Sequence, residues 1–119
     1  MKDQTINEQL MHAIAFYDVK AVQNCLEKGA DANFFQPSEY ERPELQPTTP
    51  LRLVMFRISD SMLDDEALKK FAEIAKLLLK HGADPKPAME IAELRYGKYD
   101  VNAEPGPFMD VWHIVANAK

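Results

Sequence analysis

The side chains in this chain that could do chemistry are few, and their spacing keeps them apart. Histidine occurs at His12, His81 and His113, one in each third of the sequence. No two stand at i, i+4 or at another interval that would place a pair of imidazoles around a metal ion. His81 falls just before Gly82, where a histidine suits the negative end of a helix, and His113 adjoins Trp112 in an apolar stretch. The single cysteine, Cys25, sits at a core position of a helical pattern, where it serves as a small apolar residue. A catalytic thiolate would need exposure and a cationic neighbour. The carboxylate pairs Asp64-Asp65 and Glu90/Glu93 read as solvated helix faces, the first also favouring the positive end of a helix. Four glycines, three of them punctuation, leave no phosphate-cradling loop. No catalytic, cofactor-binding or metal-ligating residue is therefore expected. The one arrangement that points elsewhere is Arg52 with Arg57, which would offer an anion a place in a groove. It keeps open the alternative of a small-ligand sensor or enzyme.

Composition narrows the classes further. Hydrophobic residues make up 46% of the chain and charged residues 28%, the balance of a folded domain rather than a disordered one. The net charge of −5 argues against a surface that holds phosphates, so no nucleic-acid partner is expected. No apolar run is long enough to cross a membrane. Met1-Lys2-Asp3-Gln4-Thr5 carries no apolar segment of a secretory signal. With one cysteine no intramolecular disulfide forms, which fits a reducing cytoplasm.

The elements that would position any surface are helices. Thr5-x-x-Glu8 is a capping box and starts a helix over about 6–16, with Ile6, Leu10, Ala13 and Ile14 at helical spacing. Asp18 caps a second over about 19–28, in which Val19, Val22, Cys25 and Leu26 line one side and Gly29 supplies a left-handed end. Pro37, Pro43 and Pro47 make 33–48 a long loop. Thr49-Pro50 opens a third helix that runs to about Ser59, with Leu51, Leu53, Val54 and Ile58 for packing and a polar break at Ser59-Asp60-Ser61. A fourth, over about 65–81, carries the stripe Leu68, Phe71, Ala75, Leu78, Leu79, widened by Ile74 and Leu77. A fifth spans about 86–96 with Met89, Ile91, Ala92 and Leu94, and ends at Gly97. A sixth spans about 108–118, where Phe108, Val111, Trp112 and Val115 should cover the end of the molecule.

One phrase occurs twice. Leu26-Glu27-Lys28-Gly29-Ala30-Asp31-Ala32-Asn33 and Leu79-Lys80-His81-Gly82-Ala83-Asp84-Pro85 each close an amphipathic stretch. Recurrence of a helix that ends on Gly-Ala-Asp marks one supersecondary unit repeated. With Thr49-Pro50-Leu51-Arg52 as an opening and Leu77-Leu78-Leu79 before the second Gly-Ala-Asp, the pattern resembles the ankyrin repeat over most of residues 8–96. The first unit shows Gln9-Leu10-Met11-His12-Ala13-Ile14 in place of a Thr-Pro opening, and Ala88-Met89-Glu90-Ile91-Ala92 resembles the inner helix of a terminal repeat. Arg52 stands where the family usually has histidine.

The resemblance implies an all-α fold, a short ankyrin-like solenoid of about six helices in three helical hairpins. The units would be about 6–33, 49–85 and 86–118 of a single domain with modified ends, the last helix acting as a cap. Gly29 and Gly82 are 53 residues apart, against about 33 for an uninterrupted unit. The excess of roughly 20 residues divides between the loop after Asn33 and the join between the third and fourth helices, because insertions in such arrays fall in loops and at helix ends. An elongated finger over 34–48 and a fourth helix extended at its N-terminus are expected.

Function follows from the resemblance as an expectation too. Solenoid curvature makes a concave surface suited to a protein partner. The groove and finger positions are Met11 and Phe16 in the first unit, Arg52, Phe56 and Arg57 in the second, Glu90 in the third, and Tyr40 and Arg42 in the finger. Aromatics and arginine are the types that dominate interface energetics. The chain should be a non-catalytic, cytoplasmic binding module, monomeric by itself. The size suits a compact bacterial protein with an immunity-type or regulatory role. Association of copies through Phe56 and the finger is a third possibility.

Overall fold

Thr5, Asp18, Thr49 and Asp64 each start a helix by the same device, a side-chain oxygen that accepts a backbone N–H two or three residues into the first turn. At Thr5 the capping box is complete: its hydroxyl accepts from the Glu8 amide at 3.1 Å, and the Glu8 carboxylate accepts from the Thr5 amide at 3.0 Å. Asp18 accepts from the Ala21 amide at 3.1 Å, Asp64 from the Ala67 amide at 2.8 Å, and Thr49 from the Arg52 amide at 3.3 Å. The computed structural model describes residues 5–35, 49–60, 63–96 and 107–118. These residues form six helices and no strand: α1 (Ile6–Ala15), α2 (Val19–Glu27), α3 (Pro50–Asp60), α4 (Asp65–Lys80), α5 (Lys86–Tyr96) and α6 (Pro107–Ala116).

The helix ends explain the repeated phrase. Gly29 and Gly82 have φ of +100° and +93°, the left-handed conformation that only glycine adopts without strain. At each, the glycine amide donates to the carbonyl of Leu26 or Leu79, and the following alanine amide donates to the carbonyl of Cys25 or Leu78. This pair of bonds satisfies two of the carbonyls a helix leaves unpaired at its C-terminus. The aspartate then accepts from the amide two residues on, Asp31 from Asn33 at 2.8 Å and Asp84 from Lys86 at 3.0 Å. Gly-Ala-Asp is thus a left-handed end, an amide that caps the helix and a self-bonded turn, built twice.

The two turns are joined by a side chain. Asn33 donates to the Gly82 carbonyl at 2.9 Å and accepts from the Asp84 amide at 2.7 Å, spanning about fifty residues of sequence with one amide group. Asp31 has the corresponding amide bond, supplied by Asn7 of α1 at 2.7 Å. Lys86 stands two residues after Asp84, where Asn33 stands after Asp31, and a lysine offers no acceptor to a further turn.

The helices lie in two rows. α1 packs on α3 and α3 on α5; α2 packs on α4 and α4 on α6; α1 also packs on α2 and α3 on α4. The core between the rows holds Leu10, Ile14, Val22, Leu51, Val54, Met55, Phe71, Ile74, Leu78, Ile91, Val111 and Val115, all at most 1% exposed. In α4 the buried stripe is Ala67, Phe71, Ile74, Ala75 and Leu78, while Leu68, Leu77 and Leu79 are half-buried. At sixteen residues α4 is longer than the nine-residue α2, in keeping with the insertion that the sequence places before it. α3 continues to Asp60, through part of the expected polar break. Leu94, expected among the packing residues of α5, is 56% exposed, and Ala88 is buried in its stead beside Ile91 and Ala92, because the covered face of α5 is centred on Ala88, Ile91 and Ala92. Val111, Trp112 and Val115 are buried on α6 as expected, while the side chain of Phe108 and residue Gly97 lie outside the described residues.

Tyr17 makes the reversal between α1 and α2 with φ of +43°, where no glycine is present. A non-glycine residue in this region costs roughly 1–2 kcal/mol. Its ring meets Phe71 edge-on at 5.6 Å between centroids, and the Lys70 ammonium lies 5.6 Å from the ring centre. These contacts anchor the reversal to α4 and offset the strain.

The Asn33 bridge gives a test. Replacing Asn33 with alanine removes two hydrogen bonds between sequence-distant turns, and the stability measured by urea unfolding should fall by about 1–2 kcal/mol. Asn7→Ala, which removes one, should cost about half as much. Unchanged midpoints in both variants would show that the bridge carries no coupling.

Candidate functional site

The buried positions of α1, α3 and α5 share one register. Each helix has an anchor, Leu10, Leu51 or Ala88, followed three and four residues later by further buried residues: Ala13 and Ile14, Val54 and Met55, Ile91 and Ala92. α3 is covered more widely than the other two, with Arg52, Leu53 and Ile58 also buried. Five residues beyond the anchor stand Ala15, Phe56 and Glu93; six beyond stand Phe16, Arg57 and Leu94. Phe16 is 64% and Leu94 56% exposed, and they are two of only three large apolar side chains so exposed among the described residues; the third is Phe35. Phe56 and Arg57 are half-buried, and Glu93 is exposed. Six residues beyond the anchor the row thus carries an exposed phenylalanine at the end of α1, a half-buried arginine on α3 and an exposed leucine on α5.

The sequence-expected contact residues separate on this frame. Phe16 is presented, with its ring 4.8 Å from that of His12. Glu90 is presented, its side chain 71% exposed. Met11 is not: it is 8% exposed, because the covered arc of α1 takes in Leu10, Met11, Ala13 and Ile14 rather than a narrow stripe. Arg52, at the same offset from its anchor as Met11, is 4% exposed. Its guanidinium donates to the Pro87 carbonyl at 2.9 Å and stands 3.8 Å from the Glu90 carboxylate. This cation ties α3 to the start of α5, so the Arg52–Arg57 anion groove loses one of its two members. Tyr40 and Arg42 lie outside the described residues.

Three open clefts mark the surface, and two of them include residues named above. One of about 390 Å³ has Gln9, His12, Phe16 and Asp18 around a floor of Ala13, Ala21 and Cys25. Another, about 260 Å³, lies between α5 and α6, where Met89, Glu90 and Glu93 meet Val115 and Ala116. The third, about 500 Å³, runs between α4 and α6 and mixes Lys69 and Lys76 with Glu73, Asp110 and His113. Among the described residues no three His, Cys, Asp or Glu side chains converge as metal ligands. Burial pushes the Cys25 thiol up, with Lys28 pulling it weakly down, so it stays protonated at neutral pH. No family model matches the chain, and neither a curated protein nor a solved structure matches it.

Two measurements check these assignments. Arg52→Ala, which leaves the Pro87 carbonyl without its buried donor, should lower stability by about 2–3 kcal/mol. Glu90→Gln should change it by under about 0.5 kcal/mol, because an exposed ion pair at this distance contributes little; equal losses would reassign Arg52's role to the ion pair. Cys25 should react with a maleimide at pH 7 at least about tenfold slower than free cysteine, with full reactivity on denaturation.

Proposed function

We propose that this chain is a non-catalytic protein–protein interaction module of the ankyrin-repeat type, a short α-solenoid that seats a protein partner on the outward face of α1, α3 and α5. The observation that carries the reading is the common register of those helices. It places Phe16 and Leu94, both exposed, at the same offset on the first and last members of one row. Isolated apolar side chains on a surface are ordinary. Two that recur in register, with an arginine at the same position on the helix between them, form a contact surface of the composition found at interface hot spots.

Further support comes from the turns. The Gly-Ala-Asp geometry repeats bond for bond, and Asn33 joins the two copies, as expected for stacked units of one kind. On this reading the chain works by occupancy, as a regulatory or immunity-type protein does, inside the cytoplasm and without a cofactor.

Affinity capture from the cells that make the chain, with the wild type and with a Phe16→Ser/Leu94→Ser double variant, tests the proposal. A single partner in stoichiometric amount, held at least about tenfold more weakly by the variant, is the expected result; a loss of that size corresponds to about 1.4 kcal/mol. Both side chains are exposed, so the variant keeps the helical content of the parent. A partner retained equally by both proteins would remove the contact surface from the odd-helix row.

A further inference from the structure

We infer that the cleft beside Phe16 receives an arginine side chain of the protein partner, its guanidinium laid against the Phe16 ring and paired with the Asp18 carboxylate. The inference rests on the binding reading above, since Phe16 is both a contact residue of that surface and a wall of this cleft. α1 and α2 build the cleft between them. His12, Ala13 and Phe16 line it from α1 and its C-terminal end, and Asp18, Ala21 and Cys25 line it from the start of α2 and one side of that helix. Intervals of three and four residues put each set on one face. The floor of Ala13, Ala21 and Cys25 is small and uncharged, with burial holding the thiol protonated. At about 390 Å³ the space falls within the range of sites that hold a small organic group.

Charge selects the ligand. Among the described residues that line the cleft, Asp18 is the one carboxylate, and none is lysine or arginine. Its Oδ1 accepts from the Ala21 amide at 3.1 Å. That bond answers the start of α2, so the usual attraction of a helix N-terminus for an anion is already met by Asp18 itself. Asp18 is exposed and makes no ion pair with another described residue, which leaves Oδ2 open to a donor. Lys28 stands ten residues further along α2, about 15 Å away, and Lys20 is turned about 200° around the helix from Asp18. Phe16 supplies the second contact. It is 64% exposed, and the His12 ring braces it at 4.8 Å and a tilt of 50°. A cation over a phenylalanine face is drawn to the negative side of the ring quadrupole. A guanidinium is planar and weakly hydrated, so it can stack on a ring while its edge donates to a carboxylate. An ammonium sheds more hydration to make either contact. An apolar side chain would leave Asp18 without a counter-charge, and an acidic one would face it directly.

The site can be tested on the full chain by titrating its amide NMR signals with N-acetyl-arginine amide, with the citrulline counterpart, which has the same shape and no charge, and with the lysine counterpart. The arginine probe should move the Ala13, Phe16 and Ala21 amides and saturate. Citrulline should bind at least about fivefold more weakly, the scale of an exposed ion pair, with lysine between the two. Asp18→Asn keeps the helix cap, because asparagine caps as well as aspartate. It should weaken the arginine probe about fivefold and remove its advantage over citrulline. Phe16→Leu should weaken arginine about threefold through loss of the ring. Capture of the partner should fall at least about fivefold with Asp18→Asn. Equal binding of arginine and citrulline overturns the inference, and so does an arginine preference that survives Asp18→Asn. If the captured partner depends on Phe16 and Leu94 while the probes are not distinguished, the binding surface stands and the arginine site falls. If the probes behave as expected while capture is indifferent to Asp18→Asn, the partner does not use the cleft and the inference falls. If capture is indifferent to Phe16 and Leu94 as well, the surface falls with it.

Discussion

Two short helices packed on each other cannot cover all of their own apolar surface, and this constraint organises the described residues. Leu10, Ile14, Val22 and Leu26 are too many to hide between α1 and α2 alone, and all four are nonetheless buried, since α1 packs on α3 and α2 on α4. At about 25 cal/mol per Å² of apolar surface removed from water, covering such a side outweighs any single hydrogen bond in the molecule. The contacts of α1 with α3 and of α2 with α4 therefore carry stability beside those between α1 and α2.

Stacking by apolar burial alone leaves the register between neighbours loosely fixed, since leucine and isoleucine accept sliding contacts. Polar groups supply the register. The Asn33 amide fits one carbonyl and one amide of the second turn, and a shift by a single residue would lose both bonds. Arg52 does the same between α3 and the start of α5 through the Pro87 carbonyl. Asn7 lets the first turn be satisfied from within the first pair of helices, and Lys86 ends the series at the other side. The series of asparagine-bonded turns thus has a beginning and an end inside the described residues.

Local signals made the helices legible in the sequence. The capping box at Thr5, the Asp18 and Asp64 caps, Thr49-Pro50 and the two left-handed glycines depend only on residues within a turn of one another, and each lies where expected. What escaped depends on neighbours distant in sequence. Arg52 looks like a free cation until Pro87, thirty-five residues on, is placed beside it. Met11 and Leu94 exchange their expected roles because the width and direction of the covered arc are set by the helices packed alongside, not by the period of the helix itself. Tyr17 in a left-handed conformation had no local sign, since the compensating contact is Phe71 on another helix. The equal offset of Phe16, Arg57 and Leu94 from Leu10, Leu51 and Ala88 is legible in the sequence itself.

That alignment also bears on why the exposed apolar groups are tolerated. On a flexible loop, a phenylalanine and a leucine in water would lose side-chain and backbone freedom when a partner ordered them. Phe16 and Leu94 instead sit on or at the end of helices whose inward residues are fully covered, so the backbone that carries them is fixed before any partner arrives. The ordering entropy of that backbone has already been met by folding. The polar series that fixes register acts in the same direction. Asn33 holds the turn after α2 against the turn after α4, and Arg52 holds α3 against the start of α5.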